Sequence, residues 1–263
     1  HIQKINERFI YNNNEIDDKK LFELLSEVES INNKDHITFF EILTAAFFYG
    51  AKQYSKNITI IESGLFHRFD ATNILKKNLA TVITSIGLDH LDWLPKNEQT
   101  IEKIIYEKTS NLLNSSIIVS KQSSNDILEK IKNSIKSNKS KKIIFNNEFS
   151  YLVNENNFFY FEDKFGGIKL PYPNIIGKFQ LDNIATAIAA LRSLKLGINE
   201  EKIKKGITKI KTVGRLQEIK KGKLKNLAKR NKLLLDGSHN PLGAKVLVDY
   251  LDTLNCQKHL ILG

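Results

Sequence analysis

Glu62 and His90 each follow a short apolar run, the position from which a side chain can act at the end of a strand. Glu62 comes after residues 58–61, and His90 comes after residues 80–86 and a glycine. In open α/β sheets, ligands bind beyond the carboxyl ends of the strands. A carboxylate and an imidazole suit Mg²⁺ or Mn²⁺. The pattern predicts a divalent-metal site, although singly Glu62 would more often form an ion pair and His90 a capped turn.

Four further residues are of types that suit phosphate or nucleotide binding. Arg215 in VGRLQ can clamp a phosphate in bidentate fashion, or form an ordinary inter-domain salt bridge. Asp236, after an apolar run, can accept a hydrogen bond from a ribose hydroxyl. Asn183 in GKFQLDN can be part of a helix cap, and Lys108 in EKTS is of a kind usually solvated. Each residue alone is weak evidence for a binding site, whereas the set in this order along the chain is stronger evidence.

Strands and helices alternate over the first 145 residues, which favours a parallel sheet with crossover helices. The predicted strands cover 58–61, 80–86, 116–120 and 142–145, and the predicted helices cover 19–31, 39–55, 98–113 and 125–137. Asp17 or Asp18 can cap the first helix, and Thr38 with Glu41 forms a capping box for the second. The second helix is apolar nearly all round, so we expect it to be buried against a sheet.

The second half of the chain has a different character. Residues 149–173 predict antiparallel hairpins, broken at Asn156-Asn157 and Gly166-Gly167. A helix over 180–196 with Gly197 as its C-cap and a helix over 200–207 follow. The charged stretch 220–232 is interpreted as an inter-domain linker. The predicted fold is α/β, a mostly parallel sheet flanked by helices (domain 1–221), with the start of a second Rossmann-like α/β domain (232–263).

Composition narrows the class of protein. With 41% hydrophobic and 26% charged residues, the chain is typical of a globular protein, and no apolar run reaches the roughly 18 residues of a membrane span. The single Cys256 fits a reducing compartment, so we expect a soluble cytoplasmic protein with no membrane partner. The net charge of +11 reflects lysines without interleaved aromatics, which favours a solvated surface over nucleic-acid binding. The start at His1, the absence of Met and the apolar end suggest a piece of a longer polypeptide.

Seven motifs occur in a characteristic order: ITFFEILT, IIESGLFHRFDATN, VITSIGLDHLDWL, EKTS, GKFQLDNIATAIAAL, GRLQ and DGSHNP. In that order they resemble folylpolyglutamate synthase/dihydrofolate synthase, a family in the Mur ligase superfamily of ATP-dependent amide-bond-forming enzymes. The resemblance covers essentially the whole chain, and the DATN, TSIGLDH and DGSHNP strings are specific to the folate branch. It implies a Mur-ligase-like central ATPase domain.

The resemblance also implies roles for matched positions. Glu62 and His90 match the metal-binding residues, and Lys108 matches a lysine that is carbamylated and holds a second metal; these three form the catalytic set. The positions implied to bind ATP are Asn183, Arg215, Asp236 and His239. The positions implied to contact pteroate are Thr38, Phe39, Phe40, Glu41, Phe69, Asp70 and Ala71. The implied cofactors are Mg²⁺ at two sites, with a monovalent cation as a further candidate, and ATP as co-substrate.

The implied reaction begins with attack of a substrate carboxylate, from dihydropteroate or the terminal glutamate of a folate, on the γ-phosphate of ATP. The amine of L-glutamate then displaces phosphate from the acyl phosphate. Such chemistry requires charge neutralisation around the γ-phosphate and exclusion of water from the intermediate. The implied partners are therefore small molecules, with no nucleic acid and no membrane, and the implied state is a monomer.

Three features depart from the family pattern. The glycine-rich phosphate loop is expected to precede His1. Phe66-His67 stand where the family usually has two glycines, and Thr109-Ser110 follow Lys108 where it usually has Ala-Gly. We therefore expect the 263-residue chain by itself to be catalytically inactive and its full-length parent to be active.

Three other readings remain open. A sister Mur-type ligase would act on another carboxylate, such as a muramyl peptide, and a substrate panel would distinguish it. A degenerate, non-catalytic nucleotide-binding protein would bind ATP without turnover. A lysine-rich nucleic-acid binder is the third, and a failure to shift DNA or RNA would exclude it.

Overall fold

The structure is a computed structural model that describes residues 3–154 and 158–263. Contacts divide the chain into a first unit, His1–Leu75, and a second unit, Lys76–Gly263. The predicted boundary between 221 and 232 is not where this division falls, and it stays a prediction. None of the helices in the described ranges combines the length and the apolar character that a membrane span requires.

The first unit contains a small hairpin and two helices. The hairpin joins β1 (Ile10–Tyr11) to β2 (Asn14–Glu15), and the helices are α1 (Asp18–Asn32) and α2 (Phe39–Ala51), with 3-10 turns at Ile5–Arg8 and Lys52–Tyr54. The Asp17 carboxylate accepts the Lys20 N–H at 2.7 Å and so caps α1, because the first amides of a helix have no partner within it. Thr38 and Glu41 form the predicted capping box of α2.

The core of the first unit lies between α1 and α2. Its buried side chains are Phe9, Ile16, Leu21, Leu24, Val28, Leu43 and Ala46. Within the first unit the inner face of α2 packs on α1, and its first residue, Phe39, is 69% exposed. The burial of α2 against a sheet stays a prediction. The Tyr11 hydroxyl donates to the Phe47 carbonyl at 3.0 Å. The Tyr11 side chain lies so close to α2 that position 50 requires a glycine, since a Cβ there would lie 2.5 Å from the Tyr11 oxygen.

Residues 58–61 do not form the predicted strand. None of the described residues pairs with them, and the side chains of Ile58 and Ile60 are 54% and 92% exposed. The run has the β-branched composition of a strand, but strand propensity expresses packing on neighbouring strands rather than a preference of the isolated backbone. The segment is not part of a sheet in the structure.

The second unit begins with the predicted parallel sheet. Its strands are β3 (Ala80–Ile83), β4 (Ser116–Val119) and β5 (Lys142–Ile144), in the order β3-β4-β5. The helices α3 (Ile101–Thr109) and α4 (Asn125–Ser134) are the crossover connections, preceded by 3-10 turns at Leu91–Trp93 and Lys96–Glu98. These three strands and two helices were predicted and are confirmed, each shorter than predicted; the 3-10 turns were not predicted. The central strand β4 is apolar and buried from Ile117 to Val119, as expected for a strand covered on both faces.

An antiparallel sheet follows, with strands β6 (Phe149–Val153), β7 (Phe158–Asp163) and β8 (Gly166–Pro171). The predicted Asn156-Asn157 turn lies outside the described residues. Gly166-Gly167 open β8, so the second turn is formed by Lys164 and Phe165 instead of the two glycines. The sheet packs on α5 (Phe179–Ser193) and α6 (Glu200–Lys209). Gly197 is not the C-cap of α5, because that helix ends at Ser193 and its C-cap is Leu194.

The end of the second unit is more structured than a linker. Strands β9 (Gln217–Glu218) and β10 (Leu234–Leu235) pair in antiparallel fashion, and helix α7 (Lys223–Ala228) lies between them. The stretch 220–232 thus closes a small hairpin. Helix α8 (Pro241–Asp252) follows β10, so a strand, a turn and a helix occur in the segment 232–263, whose assignment to a second domain stays a prediction.

Candidate functional site

In the first unit, Asp70 organises the segment from 62 to 73, which we call the substrate loop. Its Oδ2 accepts the Gly64 N–H at 2.8 Å, and its Oδ1 accepts the N–H and the hydroxyl of Thr72 at 3.0 and 2.5 Å. A Cβ on Gly64 would lie 3.0 Å from Asp70 Oδ2 and 3.1 Å from the Phe40 ring. The fold therefore brings together, around Gly64, the two segments to which substrate contacts were assigned.

The exposed aromatic rings in this part of the first unit are Phe39 and Phe69, whose side chains are 69% and 80% exposed. The Arg68 guanidinium lies 4.2 Å from the centre of the Phe69 ring, an attractive cation–π contact. Thr38 donates its N–H and its hydroxyl to Glu41 at 2.8 and 2.6 Å. These hydrogen bonds lower the pKa of the Glu41 carboxyl, because they favour its charged form.

Glu62 belongs to the first unit, where it is exposed, and His90 belongs to the second. His90 has a left-handed backbone, with φ of 55°. Its N–H donates to Asp89 Oδ1 at 2.9 Å, and its Nε2 lies 3.6 Å from Asp89 Oδ2. Metal-binding histidines usually have a carboxylate or carbonyl beside the second ring nitrogen, so this arrangement fits a ligand role for His90.

The donor chemistry at these positions fits Mg²⁺ or Mn²⁺ only in part. Carboxylate oxygen and imidazole nitrogen are suitable ligands. Within residues 3–154 and 158–263, however, no three His, Cys, Asp or Glu side chains come together so as to hold a metal ion. This is compatible with Mg²⁺, which usually keeps several waters and binds one or two protein groups together with substrate phosphates.

Lys108 lies in the last turn of α3 and is half-buried. Its neighbour Glu107 is buried, with Oε1 3.4 Å from the amine of Lys103. The following Thr109, which departs from the family pattern, is buried and donates its hydroxyl to the Ile105 carbonyl at 2.7 Å. The Thr109 side chain thus belongs to the packing of α3, and carbamylation of Lys108 stays a prediction.

Two loops of the second unit, 212–217 and 236–240, pack together and are called the nucleotide loops. Asp236 Oδ2 accepts the Leu216 N–H at 2.7 Å, and the Gly237 N–H donates to the Gly214 carbonyl at 2.8 Å. A Cβ on Gly237 would lie 2.8 Å from Nη1 of Arg215. The structure therefore brings the guanidinium of Arg215 next to the backbone that follows Asp236, and His239 is three residues further along.

Asn183 is exposed in the second turn of α5, so it is not the helix cap. The glycine that precedes α5, Gly177, has φ of 103°, and a Cβ there would lie 3.3 Å from the Leu216 side chain. The start of α5 thus touches the nucleotide loop that carries Arg215. On the same helix, Asp182 accepts a 2.8 Å hydrogen bond from the Tyr151 hydroxyl. Burial and that hydrogen bond raise the pKa of Tyr151 above its ordinary range.

The residue that sequence reasoning missed is Gln122, just beyond the end of β4. Its side chain is 9% exposed, its Oε1 accepts the Ile86 N–H at 2.9 Å, and its Nε2 donates to the Thr84 and Ser120 carbonyls at 3.2 and 2.9 Å. It thereby holds residues 84–90, the His90 loop, against the neighbouring strand. The same rule that singled out Glu62, a polar residue after an apolar strand, would have found it.

Similar proteins were found by sequence and by structure, although no protein-family model matches the chain. The dihydrofolate synthase/folylpolyglutamate synthase of Haemophilus influenzae is 29% identical over 269 residues, which cover 97% of this chain and 57% of that protein. The chain thus spans little more than half the length of the curated relatives it matches.

Solved structures agree with the sequence comparison. E. coli FolC in complex with DHPP and ADP is 28% identical, with a TM-score of 0.83 over 98% of this chain and 58% of FolC. The bifunctional folylpolyglutamate synthase/dihydrofolate synthase of Yersinia pestis, complexed with AMPPNP and Mn ion, is 25% identical, with a TM-score of 0.81 over 96% of this chain and 57% of that one. The predicted α/β fold is confirmed, and over 97% of its length the chain is homologous to the dihydrofolate synthase/folylpolyglutamate synthases.

Proposed function

We propose that this protein is an ATP-dependent ligase that joins the amine of L-glutamate to the carboxylate of dihydropteroate or to the γ-carboxylate of a folate. The observation that carries the proposal is the contact between the two nucleotide loops. Asp236 and Arg215, which suit a ribose and a phosphate, lie side by side around Gly237. The relatives and solved neighbours with this fold bear the name of that ligase.

The reaction proceeds in two balanced steps. The substrate carboxylate attacks the γ-phosphate, forming an acyl phosphate and releasing ADP. The amine then attacks the acyl carbon, phosphate leaves, and the amine loses a proton as the amide forms. Arg215 is exposed and presents a guanidinium that can bind two phosphate oxygens. It would reduce the negative charge that opposes the first step.

Asp236 can bind a ribose hydroxyl without breaking its own contacts. Its carboxylate accepts hydrogen bonds from the Leu216 N–H and from the N–H and hydroxyl of Ser238. A carboxylate has about four lone-pair positions, which leaves one for a ribose hydroxyl. His239, exposed and with Nδ1 3.0 Å from the Gly237 carbonyl, and Asn183 are proposed to contact the same nucleotide.

Glu62 and His90 are proposed to hold one Mg²⁺, and carbamylated Lys108 a second. When bound, these ions would neutralise charge on the phosphates. Asp89, with Oδ2 3.6 Å from His90 Nε2, is proposed to orient the His90 ring for this role. A monovalent cation, a monomeric state and a cytoplasmic location complete the proposal.

Phe69 is proposed to stack on the flat ring system of the pteroate substrate. Arg68 covers one face of the Phe69 ring, which leaves the other face for a ligand. Phe40 at the start of α2 borders the same loop, and Phe39, which precedes it, is proposed to contact the same substrate. Asp70 would act by shaping the substrate loop, because both its carboxylate oxygens already accept hydrogen bonds from that loop.

The test is ATP-dependent incorporation of labelled glutamate by the full-length parent of this chain. Dihydropteroate, tetrahydrofolate and a muramyl peptide are the alternative acceptors. Incorporation into a folate-type acceptor is expected. Incorporation into the muramyl peptide alone would instead support the sister ligase, and nucleotide binding without turnover would support the degenerate protein.

Two pairs of variants sharpen this test. Phe69→Ala should raise KM for the pteroate acceptor about tenfold, given that an aromatic contact is worth about 1–3 kcal/mol, without changing KM for ATP. Phe22→Ala removes an equally exposed ring, 71% exposed on α1, and should change neither. Arg215→Lys should lower kcat, whereas Arg230→Lys, also at an exposed position, should not. Equal effects within either pair would refute the assigned role.

A further inference from the structure

Asn240 connects the nucleotide loop 236–240 to the His90 loop. Its Oδ1 accepts the Gly243 N–H at 2.8 Å and so caps α8, while its Nδ2 donates to Asp89 Oδ2 at 2.9 Å. The two residues are 151 positions apart in sequence, and both belong to the second unit. One side chain thus combines a local cap with a long-range hydrogen bond.

A second contact joins the His90 loop to α8, the helix that follows loop 236–240. A Cβ on Gly87 in the His90 loop would lie 3.2 Å from both Cβ and Cδ2 of Leu242 in the first turn of α8. That separation is tighter than an ordinary side-chain contact, so the loop and the helix are packed as closely as a glycine permits. The hydrogen bond and this packing together fix the His90 loop against the start of α8.

Asp89 contacts both Asn240 and His90. Its Oδ1 accepts the His90 N–H, and its Oδ2, which accepts from Asn240, lies 3.6 Å from His90 Nε2. The left-handed backbone of His90, with φ of 55°, is uncommon for a residue other than glycine. The carboxylate therefore supports a conformation that the backbone alone would disfavour.

We propose that Asn240 and Asp89 are positioning residues that couple nucleotide binding to metal binding. A nucleotide that orders loop 236–240 would fix Asn240, and Asn240 would hold Asp89 and the His90 imidazole in the orientation for a metal ion. Such a coupling is reciprocal, so the metal would strengthen nucleotide binding by the same factor. The inference rests on the proposed roles of the nucleotide loops and of His90.

The decisive variant is Asn240→Ser, because serine retains the helix cap and lacks the amide donor. Asn199→Ser is the matched control, since Asn199 caps α6 by accepting the Lys202 N–H at 3.0 Å. The dissociation constant of Mn²⁺ is measured by electron paramagnetic resonance on the whole protein, with and without ADP. A hydrogen bond to a charged group supports a change of about tenfold. ADP should thus tighten Mn²⁺ binding about tenfold less in Asn240→Ser than in the unsubstituted protein or in Asn199→Ser.

The outcomes separate the two proposals. If the unsubstituted protein binds neither Mn²⁺ nor ADP, the proposed function fails and the coupling fails with it. If it binds both and the effect of ADP is the same in Asn240→Ser, the coupling alone is refuted.

A second measurement needs no ligand. Amide hydrogen exchange of His90 should be about fivefold faster in Asn240→Ser than in Asn199→Ser, because the carboxylate that accepts this N–H is less constrained. Asn240→Asp also retains a cap but places two carboxylates together, so it should accelerate exchange as well. Adding Asp89→Asn to Asn240→Asp restores the hydrogen bond with donor and acceptor exchanged, because the new amide at position 89 can donate to the new carboxylate at position 240. This double variant should restore the protection of the His90 amide. Exchange that does not respond to these changes would contradict the proposal.

Discussion

Replacing Gln122 with methionine should destabilise the second unit and loosen the His90 loop. Methionine has a similar length but cannot make the three hydrogen bonds of the Gln122 carboxamide. The Thr84 residue is exposed, so its carbonyl can bind water instead. Ile86 and Ser120 are 3% and 1% exposed, and their N–H and carbonyl would be left without a partner. At about 1–3 kcal/mol for each of these two buried unsatisfied groups, the loss is about 2–6 kcal/mol.

That loss is large compared with the ~5–15 kcal/mol that holds a typical domain folded. It is measured as the change in urea midpoint at constant slope, and amide exchange of Ile86 should accelerate in parallel. The control is Gln99→Met, because Gln99 is only half-buried while donating to the Leu91 and Leu94 carbonyls at 2.9 and 3.2 Å. Water can replace the bond to the half-buried Leu91, whereas Leu94 is only 9% exposed. One unsatisfied group predicts a loss of about 1–3 kcal/mol, about half that of Gln122→Met. Equal losses in the two variants, or an unchanged Ile86 amide, would refute the reasoning.

Three further predictions concern other parts of the chain. Gly50→Ala should lower the thermal midpoint, because the added Cβ would lie 2.5 Å from the hydroxyl oxygen of Tyr11. We expect this steric overlap to outweigh the gain in helix propensity of about 1 kcal/mol. A higher thermal midpoint would contradict the prediction. The start of α2 should lose protection from amide exchange in acid. The hydrogen bonds with Thr38 lower the folded-state pKa of the Glu41 carboxyl. The stabilising effect of Glu41 is therefore complete above the ordinary carboxyl pKa of about 4.3 and is lost as the pH falls through the lower folded-state pKa. Glu41→Gln should remove that pH dependence. Arg192→Lys should lower the free energy of unfolding, measured in urea, by about 1–2 kcal/mol. The reason is that Nε and Nη2 of Arg192 both donate to the buried Asp163 carboxylate at 2.9 Å. If Arg230→Lys, at an exposed position, lowers the free energy of unfolding as much, the bidentate geometry has no role.

Much of the fold and part of the candidate site could be predicted from the sequence because they depend on residues close together in the chain. The cap of α1 by Asp17 and the capping box of Thr38 and Glu41 span three residues each, so the sequence contains both partners of each hydrogen bond. The alternation of β3, α3, β4, α4 and β5 follows from apolar periodicity in the same way. The order of the motifs was sufficient to indicate the folate ligases, to which the comparisons show homology.

Tertiary structure decided what depends on distant partners. Residues 58–61 have the composition of a strand, but no described residue pairs with them, and a strand needs the backbone of a neighbour. The position of Gln122 after a strand is present in the sequence, but its partner Ile86 lies 36 residues away, and Asn240 donates to Asp89 across 151 residues. Neither pairing could be predicted from the sequence. The sequence by itself determined the local elements and the chemical types present. Which polar side chains meet was decided by folding, because a hydrogen bond between distant residues leaves no periodic pattern in the chain.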